Sequence, residues 1–515
     1  MQLTATVAAL VPIAVVAVLL LANRSTSFAA WSGCAVAVVV ATVMLSVDGL
    51  ELARSVARGA WTGAWILLIV LPALLLYAIM AEAGAVDRLA GAIEAHAATP
   101  TAALLLMAWV LPSFLQGIAG FGVPIALCAP LLRRRGMPAL EAVALCMIGY
   151  QWSVTFGSMG SSYFMAEATA RLTPLESTTF GRWTAVVLGI GAVTSGLIVY
   201  LRTRAYDDAR RPRDAAGVLV VGAGMALALT ATVRVQPALG STAAGLAGLL
   251  VWWLWFRTPR QQLRPERDAI VAAAPYVLLT CLAASVVAAA PLRTLADRVP
   301  AIAPELGTVS AAFGYHSPAG PVSPPFRLLH HPLIYLCVAI VCAAVLYHRA
   351  GWLSTKQLSN AVRSWRTQPL RVGLPIVGLT VLAAVAIDSG MVALVAQAIA
   401  GGLGGVAAAL SPLLGMFGTL ITGSTTASNA LLSGLQVQVA AVAGLAPVAL
   451  LVGQTAGGGV GNAIAPAVAT VGLSSVASPG STAAPTVGAV LRRNLGAVIV
   501  LVVINIACVI ALNLR

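Results

Sequence analysis

Apolar residues run in long, nearly uninterrupted blocks along the whole chain, with polar residues gathered between them. Ten blocks predict membrane-crossing helices, near 3–22, 28–47, 61–83, 179–201, 215–233, 238–257, 269–290, 333–348, 370–389 and 493–513. A crossing helix needs about 20 such residues. Two further blocks, near 138–170 and 440–470, are broken by Gly and polar residues and bring the expected crossings to 12. Segments 99–132 and 403–438 are interrupted at mid-length. Each half holds only about 12–15 residues, too few to span alone, so re-entrant hairpins are expected. Residues 354–366 place Leu358, Val362 and Trp365 on one helical face and Lys356, Arg363 and Arg366 elsewhere. That pattern predicts a helix lying on the membrane surface.

Composition narrows the class. Charged residues make up 9% of the chain, against about 25% in soluble proteins. So few cannot clothe a water-facing surface, and the bilayer is the expected surrounding. The net charge of +14 then belongs to cationic loops and implies no nucleic-acid partner. The single lysine, Lys356, follows Thr355, so no phosphate-binding G-x-x-x-x-G-K-[ST] loop exists and an ATP-driven pump is excluded. The apolar start has no cation before Arg24 and reads as a retained membrane helix rather than a signal peptide. The seven cysteines lack zinc or disulfide spacing, and His316, His330 and His331 read as exposed or capping residues, so no metal or cofactor is expected. Neither H-E-x-x-H nor G-x-S-x-G occurs, and the chain is not expected to be an enzyme.

Cations set the orientation. The loops at 133–135, 202–213, 257–267, 349–371 and 492–493, with Arg24 and Arg88, hold 21 of the 30 Lys+Arg and are placed inside. The 291–332 loop, Arg54 and Arg58 fall outside. An internal repeat is also present: Glu82-Ala83-Gly84 through Ile93 matches Asp388-Ser389-Gly390 through Ile399 at an offset of 306. The chain enters the first copy from outside and the second from inside, so the copies are inverted. The division is then 1–201 (first copy; hairpin 99–132, broken helix 138–170), 202–369 (central spans, basic loops and external loop 291–332) and 370–515 (second copy; hairpin 403–438, broken helix 440–470). Broken helices in inverted repeats point to a secondary transporter with its site near the midplane.

Four polar segments meet there. The first tip carries Gln116, Gly117, Gly120 and Gly122, with Pro124 suited to a helix start. The second carries Thr422, Gly423, Ser424, Thr425, Ser428 and Asn429, rich in N-capping types. The broken spans add Gln151, Ser153, Thr155, Gln454 and Thr455. Hydroxyls, amides and helix N-termini without a fixed cation suit a small organic anion. Glu82, Glu141, Glu167 and Asp388 are the candidate coupling groups. A channel would need no broken-helix pairs, and no charged pore ring is visible.

Phe114-Leu115-Gln116-Gly117-Ile118-Ala119-Gly120-Phe121-Gly122-Val123-Pro124 closely resembles the F-L-E-G-A-A-G-F-G-A-P segment of bacterial L-lactate/glycolate permeases. Thr422-Gly423-Ser424 with Ser428-Asn429 resembles their T-G-S-x-x-x-S-N tip. Thr455-Ala456-Gly457-Gly458, Pro466 and Leu491-Arg492-Arg493 follow the same order. The resemblance implies a multi-pass inner-membrane importer of short 2-hydroxymonocarboxylates such as lactate or glycolate. It also implies proton coupling, an elevator-like movement of a substrate-carrying domain against a scaffold, and compatibility with a homodimer. The chain departs from that pattern at Gln116, where the family segment has an acid, and at Gln454, where it has Asn. These departures leave open a sodium-coupled or otherwise coupled transporter of another small carboxylate or sulfonate.

Overall fold

Each apolar block becomes helix in the computed structural model. It describes residues 2–514 except 23, 95–96, 119, 121, 207–211, 258–266, 318–323 and 478–484. Ala119 and Phe121 of the first tip, the middles of the basic loops 202–213 and 257–267, and part of the 291–332 loop therefore lie outside the described residues. The chain begins with α1 (Gln2–Leu21), α2 (Thr26–Val43), α3 (Gly49–Glu82), α4 (Ala85–Glu94), α5 (Pro100–Leu105), α6 (Leu111–Ile118), α7 (Val123–Arg134), α8 (Ala139–Tyr150), α9 (Gly157–Ala170) and α10 (Pro174–Arg202). Next come α11 (Pro212–Val233), α12 (Gly240–Phe256), α13 (Arg267–Ala288), α14 (Ala290–Asp297), α15 (Pro332–Arg349) and α16 (Thr355–Trp365). It ends with α17 (Leu374–Asp388), α18 (Met391–Leu403), α19 (Val406–Thr422), α20 (Thr425–Ala443), α21 (Pro447–Asn462), α22 (Pro466–Ser475) and α23 (Val487–Asn513). A short antiparallel ribbon, β1 (Ser310–Ala311) with β2 (Tyr315–His316), lies in the loop before α15. Among the described residues, 11 helices are long and apolar enough to cross a membrane, and the bent pair Ala139–Ser153 and Gly157–Ala170 would make 12.

The order of elements from α3 to α10 recurs from α17 to α23. A long helix is followed by a shorter one, two helix–break–helix segments and a terminal helix. Left-handed glycines recur with it: Gly84 and Gly390 after the first helix, Gly122 and Gly423 at the first break, Gly136 and Gly444 before the next helix. In both copies the halves flanking the first break, α6 with α7 and α19 with α20, pack on each other.

Apolar burial divides into two cores. One joins α5–α12 with α13, α15 and α21–α23; the other joins α1, α2, α17 and α18 with parts of α3, α19 and α20. Trp65 and Phe164 pack against both and meet edge to face at 5.3 Å. Outward positions are apolar too: Leu495, Ile499 and Val503 recur every fourth residue on α23 and are exposed. An apolar exposed face is what a lipid-facing helix presents.

Contacts between distant segments define two ends of the bundle. At one, Arg202 and Arg493 both bond Glu141, Arg213 exchanges hydrogen bonds with Trp255, and Ala98 donates to the Phe256 carbonyl. At the other, Arg58 donates to the Gly307 carbonyl (2.7 Å), Trp61 to Pro324 (2.9 Å) and Ala312 to Leu45 (2.7 Å). Residues 45–62 therefore share an end with the 291–332 loop. α16 starts at a capping box, Ser354 with Gln357, and lies against α3, where Trp365 donates to the Leu71 carbonyl (2.8 Å).

His331 caps α15 by accepting the Leu333 N–H at Nδ1 (3.2 Å), which requires an unprotonated ring nitrogen. Burial pushes its imidazole down to about 4. The unfolded chain then binds the proton first, near pH 6.5. The stability held by the neutral ring is complete above that pH and drains as pH falls toward 4. The thermal midpoint should fall more steeply from pH 7 to about 5 in wild type than in His331→Asn, where a non-titrating cap stands in its place. Parallel curves would show that His331 does not titrate.

Two expectations change. The first half of segment 99–132 is not a short half-helix, because α5 and α6 join through a π turn at Leu106–Val110 into a 19-residue rod, Pro100–Ile118, buried throughout. The break expected around Gln454–Gly461 is also absent. Those residues form continuous helix α21, and the chain breaks at 463–465 instead. The glycines there serve contact rather than bending. A Cβ on Gly457 would run into the Pro412 carbonyl, one on Gly461 into that of Met416, and one on Gly415 into that of Gln454. Helices α19 and α21 thus touch backbone to backbone, as small residues allow in membranes.

Candidate functional site

Both tips are shaped by left-handed glycines. Gly122 (φ +85°) turns the chain into α7, and Gly423 (φ +71°) turns it toward Ser424, whose hydroxyl caps α20 by accepting the Ala427 N–H (3.4 Å). The break between α8 and α9 bends the pair by 55° through a 3₁₀ turn at Gln151–Ser153. Three consecutive residues then sit in the left-handed region: Ser158 (φ +47°), Met159 (φ +56°) and Gly160 (φ +75°). For an L-residue that conformation costs roughly 1–2 kcal/mol. Here it sets the Ser158 hydroxyl to accept the Gly120 N–H at 2.7 Å, so the α8–α9 break and the first tip are tied together.

A cavity of about 200 Å³ opens where these elements meet. Gln116 and Gly122 come from the first tip, and Gly423, Ser424, Thr425 and Thr426 from the second. Tyr150, Val154, Ser158, Ser161 and Ser162 come from the first broken helix, and Asn462, Ala467, Val468 and Val471 from the α21–α22 break. The opening turns of α20 and α22 line it, as do Gly122 at the N-cap of α7 and the left-handed Ser158 that enters α9. The first N–H groups of a helix lack intrahelical partners and carry its positive dipole end. Among the described residues, no charged side chain lines the wall. The lining joins hydroxyls, amides and helix-terminal backbone with the apolar Val154, Val468 and Val471.

At and behind this wall, hydrogen bonds join α9 to α20 and α20 to α21. Ser162 and Thr426 share one at 2.7 Å. Asn429 donates from Nδ2 to the Ser162 carbonyl and to Thr455 Oγ1, both at 2.9 Å. Gln454 donates to Ser428 Oγ (3.1 Å) and accepts from Gln436 (3.2 Å). Asn429→Ala would strand two buried acceptors and should lower stability by about 1–3 kcal/mol. The thermal midpoint of the purified protein measures it, and an unchanged midpoint would show that Asn429 does not join these helices.

The family model for L-lactate permease matches residues 5–514. The chain belongs to the L-lactate permease family. It is 26% identical to the Escherichia coli K12 L-lactate permease over 489 residues, covering 85% of this chain and 83% of that one. It is 25% identical to that of Bacillus subtilis strain 168 over 481 residues, covering 84% and 83%. Among solved structures it is similar to the Alcanivorax borkumensis YdaH transporter, at 16% identity and a TM-score of 0.48, covering 88% of this chain and 86% of that one. The family is one of permeases, and this member is a multi-pass protein of the inner membrane.

Within this permease fold, five residues expected at the site line the cavity: Gln116, Gly122, Gly423, Ser424 and Thr425. The others stand behind it. Gly120 gives its N–H to Ser158, and Gly117 lies against the Thr242 backbone. Gln151 donates to Ser195 (3.1 Å), and Ser153 bonds the Tyr150 carbonyl (2.7 Å). Thr155 reaches Thr455 (3.4 Å), and Thr422 bonds the Gly418 carbonyl (2.7 Å). Ser428, Asn429, Gln454 and Thr455 form the stitching network. Missing from the expected set were Tyr150, Ser158, Ser161, Ser162, Thr426 and Asn462. One signal was legible: three serines at three- and four-residue spacing in an apolar helix.

The four acids have different surroundings. Glu141 is clasped by Arg202 at 2.9 Å and Arg493 at 2.7 Å. Arg202 also holds Asn494, whose amide bonds the Ala463 carbonyl in the second break (2.8 Å). Glu141 thus belongs to a structural clasp. Asp388 is fully buried between Arg58 and Arg171. Glu82 lines a separate cavity with Tyr77 and Gln368. Glu167, on α9, accepts the Ser177 hydroxyl and forms no salt bridge among the described residues.

Proposed function

We propose that this protein imports a short 2-hydroxymonocarboxylate such as lactate or glycolate, coupled to protons. The single observation that carries the reading is the uncharged cavity lined by hydroxyls, amides and the N-terminal ends of α7, α20 and α22, within a family of L-lactate permeases. Such a cradle holds one delocalised negative charge through N–H and O–H groups and offers little to a polyanion. Gln116, Ser424, Thr425, Thr426 and Ser162 would hold the carboxylate and hydroxyl, while Val154, Val468 and Val471 would meet the carbon end. The recurring order of elements supports inverted repeats with re-entrant hairpins at the two tips.

Among the described residues no carboxyl lines the cavity, so a proton carrier has to stand outside it. Glu167 suits that role: it forms no salt bridge among the described residues and lies five residues beyond Ser162, roughly 7–8 Å along the helix. The same bare wall favours the alternative, a sodium-coupled transporter using carbonyl and hydroxyl oxygens.

Counterflow uptake into proteoliposomes with a panel of small acids, with and without proton and sodium gradients, tests the reading. Saturable exchange of 2-hydroxymonocarboxylates is expected, driven by a proton gradient. Ser424→Ala and Thr426→Ala should each weaken apparent affinity by roughly one to two decades. Glu167→Gln should retain counterflow and lose the response to a proton gradient. Gln116→Glu should steepen the pH dependence of uptake between about pH 5 and 8, since a desolvated carboxyl titrates above its usual range. Uptake driven by sodium alone would replace the proton reading with its alternative.

A further inference from the structure

Arg171 lies nine residues beyond Ser162, at the left-handed end of α9 (φ +55°) and roughly 13 Å from the cavity along the helix. Its guanidinium meets that of Arg58, from α3, on one carboxylate: Arg58 Nη1 bonds Asp388 Oδ2 and Arg171 Nη2 bonds Asp388 Oδ1. Arg58 is 1% exposed and Asp388 0%. A buried guanidinium, Arg58, and a mostly buried one, Arg171 (side chain 12% exposed), therefore face one carboxylate, and neither forms a salt bridge to another acid among the described residues. Carbonyl ends of α9 and α17 offset part of that excess. They do not reach two donors: Arg58 Nε and Arg171 Nη1 are buried without a hydrogen-bond partner among the described residues.

A narrow void of about 10 Å³ lies here, bordered by Arg58, Thr62, Thr169, Arg171 and Thr380. That is room for about one water-sized group. An uncompensated buried charge is costly, and an unpaired N–H beside it adds to the cost. One small anion would answer both. We propose that this cluster binds a single monovalent anion, a halide or one oxygen of an entering carboxylate, on Arg58 Nε and Arg171 Nη1. Thr169 connects it to the hydrogen-bond network behind the central cavity by donating to the Asn429 carbonyl (3.2 Å). The site sits at the end of the bundle that carries the 291–332 loop, where Arg58 also holds the Gly307 carbonyl. The binding itself does not depend on the transport reading and can be measured without transport.

The test is the thermal midpoint of the purified full-length protein, titrated with chloride against isethionate at constant ionic strength. Wild type should show a saturable upward shift. Arg171→Gln, which leaves Arg58 paired with Asp388, should raise the chloride concentration at half-effect by about tenfold or more. L-lactate in chloride-free buffer separates the two sources. A lactate shift that needs Arg171 and is competed by chloride assigns the site to carboxylates as well, whereas one indifferent to Arg171→Gln belongs to the central cavity and leaves this site to halide. If Arg171→Gln does not fold, bromide anomalous scattering from wild-type crystals replaces it. A bromide on Arg58 and Arg171 supports the site. Water alone there, or a chloride response unchanged in Arg171→Gln, overturns it.

Discussion

Asp388→Asn is expected to lower stability by about 3–5 kcal/mol, the usual cost of removing one partner from a buried ion pair. The carboxylate is fully buried and is the sole acid on Arg58 and Arg171 among the described residues. An amide keeps the shape but leaves two guanidiniums facing each other with no countercharge. The purified protein should show a much lower thermal midpoint or elute as aggregate. Adding Arg58→Gln removes one of the stranded charges, so the double variant should lose less than the sum of the singles. Raising chloride should recover part of the loss in Asp388→Asn. A wild-type midpoint in Asp388→Asn would mean that the cluster is not buried as described.

Gly457→Val is expected to prevent accumulation of folded protein. Its Cβ position is filled by the Pro412 carbonyl and Cα, which are backbone and have no rotamer to change. The smaller Gly457→Ala should cost about 1–3 kcal/mol as α19 and α21 are pushed apart. α19 leads into the second tip, and α21 carries Gln454 and Thr455 of the stitching network. Any Gly457→Ala protein that does fold should therefore transport poorly. Normal expression of Gly457→Val, by fluorescence-detected size exclusion, would show that this helix contact is looser than the geometry requires.

Much of this protein is written in the order of its residues. Hydrophobic runs and charge act locally, so the helical class, the membrane setting and the two interrupted segments follow from the chain. The repeat of Glu82-x-Gly84 at Asp388-x-Gly390 is local too. Polar residues in an apolar block mark the region of the central cavity for the same reason: the bilayer tolerates them only where they have partners or face a cavity. What each of them faces is not local. Gly423 makes a turn and Gly457 a helix contact, and the difference lies in what stands opposite, not in the glycine. Thr422 and Thr426 differ by four residues; Thr426 lines the cavity and Thr422 bonds its own helix. Asp388 looks like a helix-end acid until the fold brings it Arg58 from 330 residues away. Which polar groups meet a ligand, and which meet one another, is decided only by packing, because burial makes each of them take whatever partner the tertiary structure brings within reach.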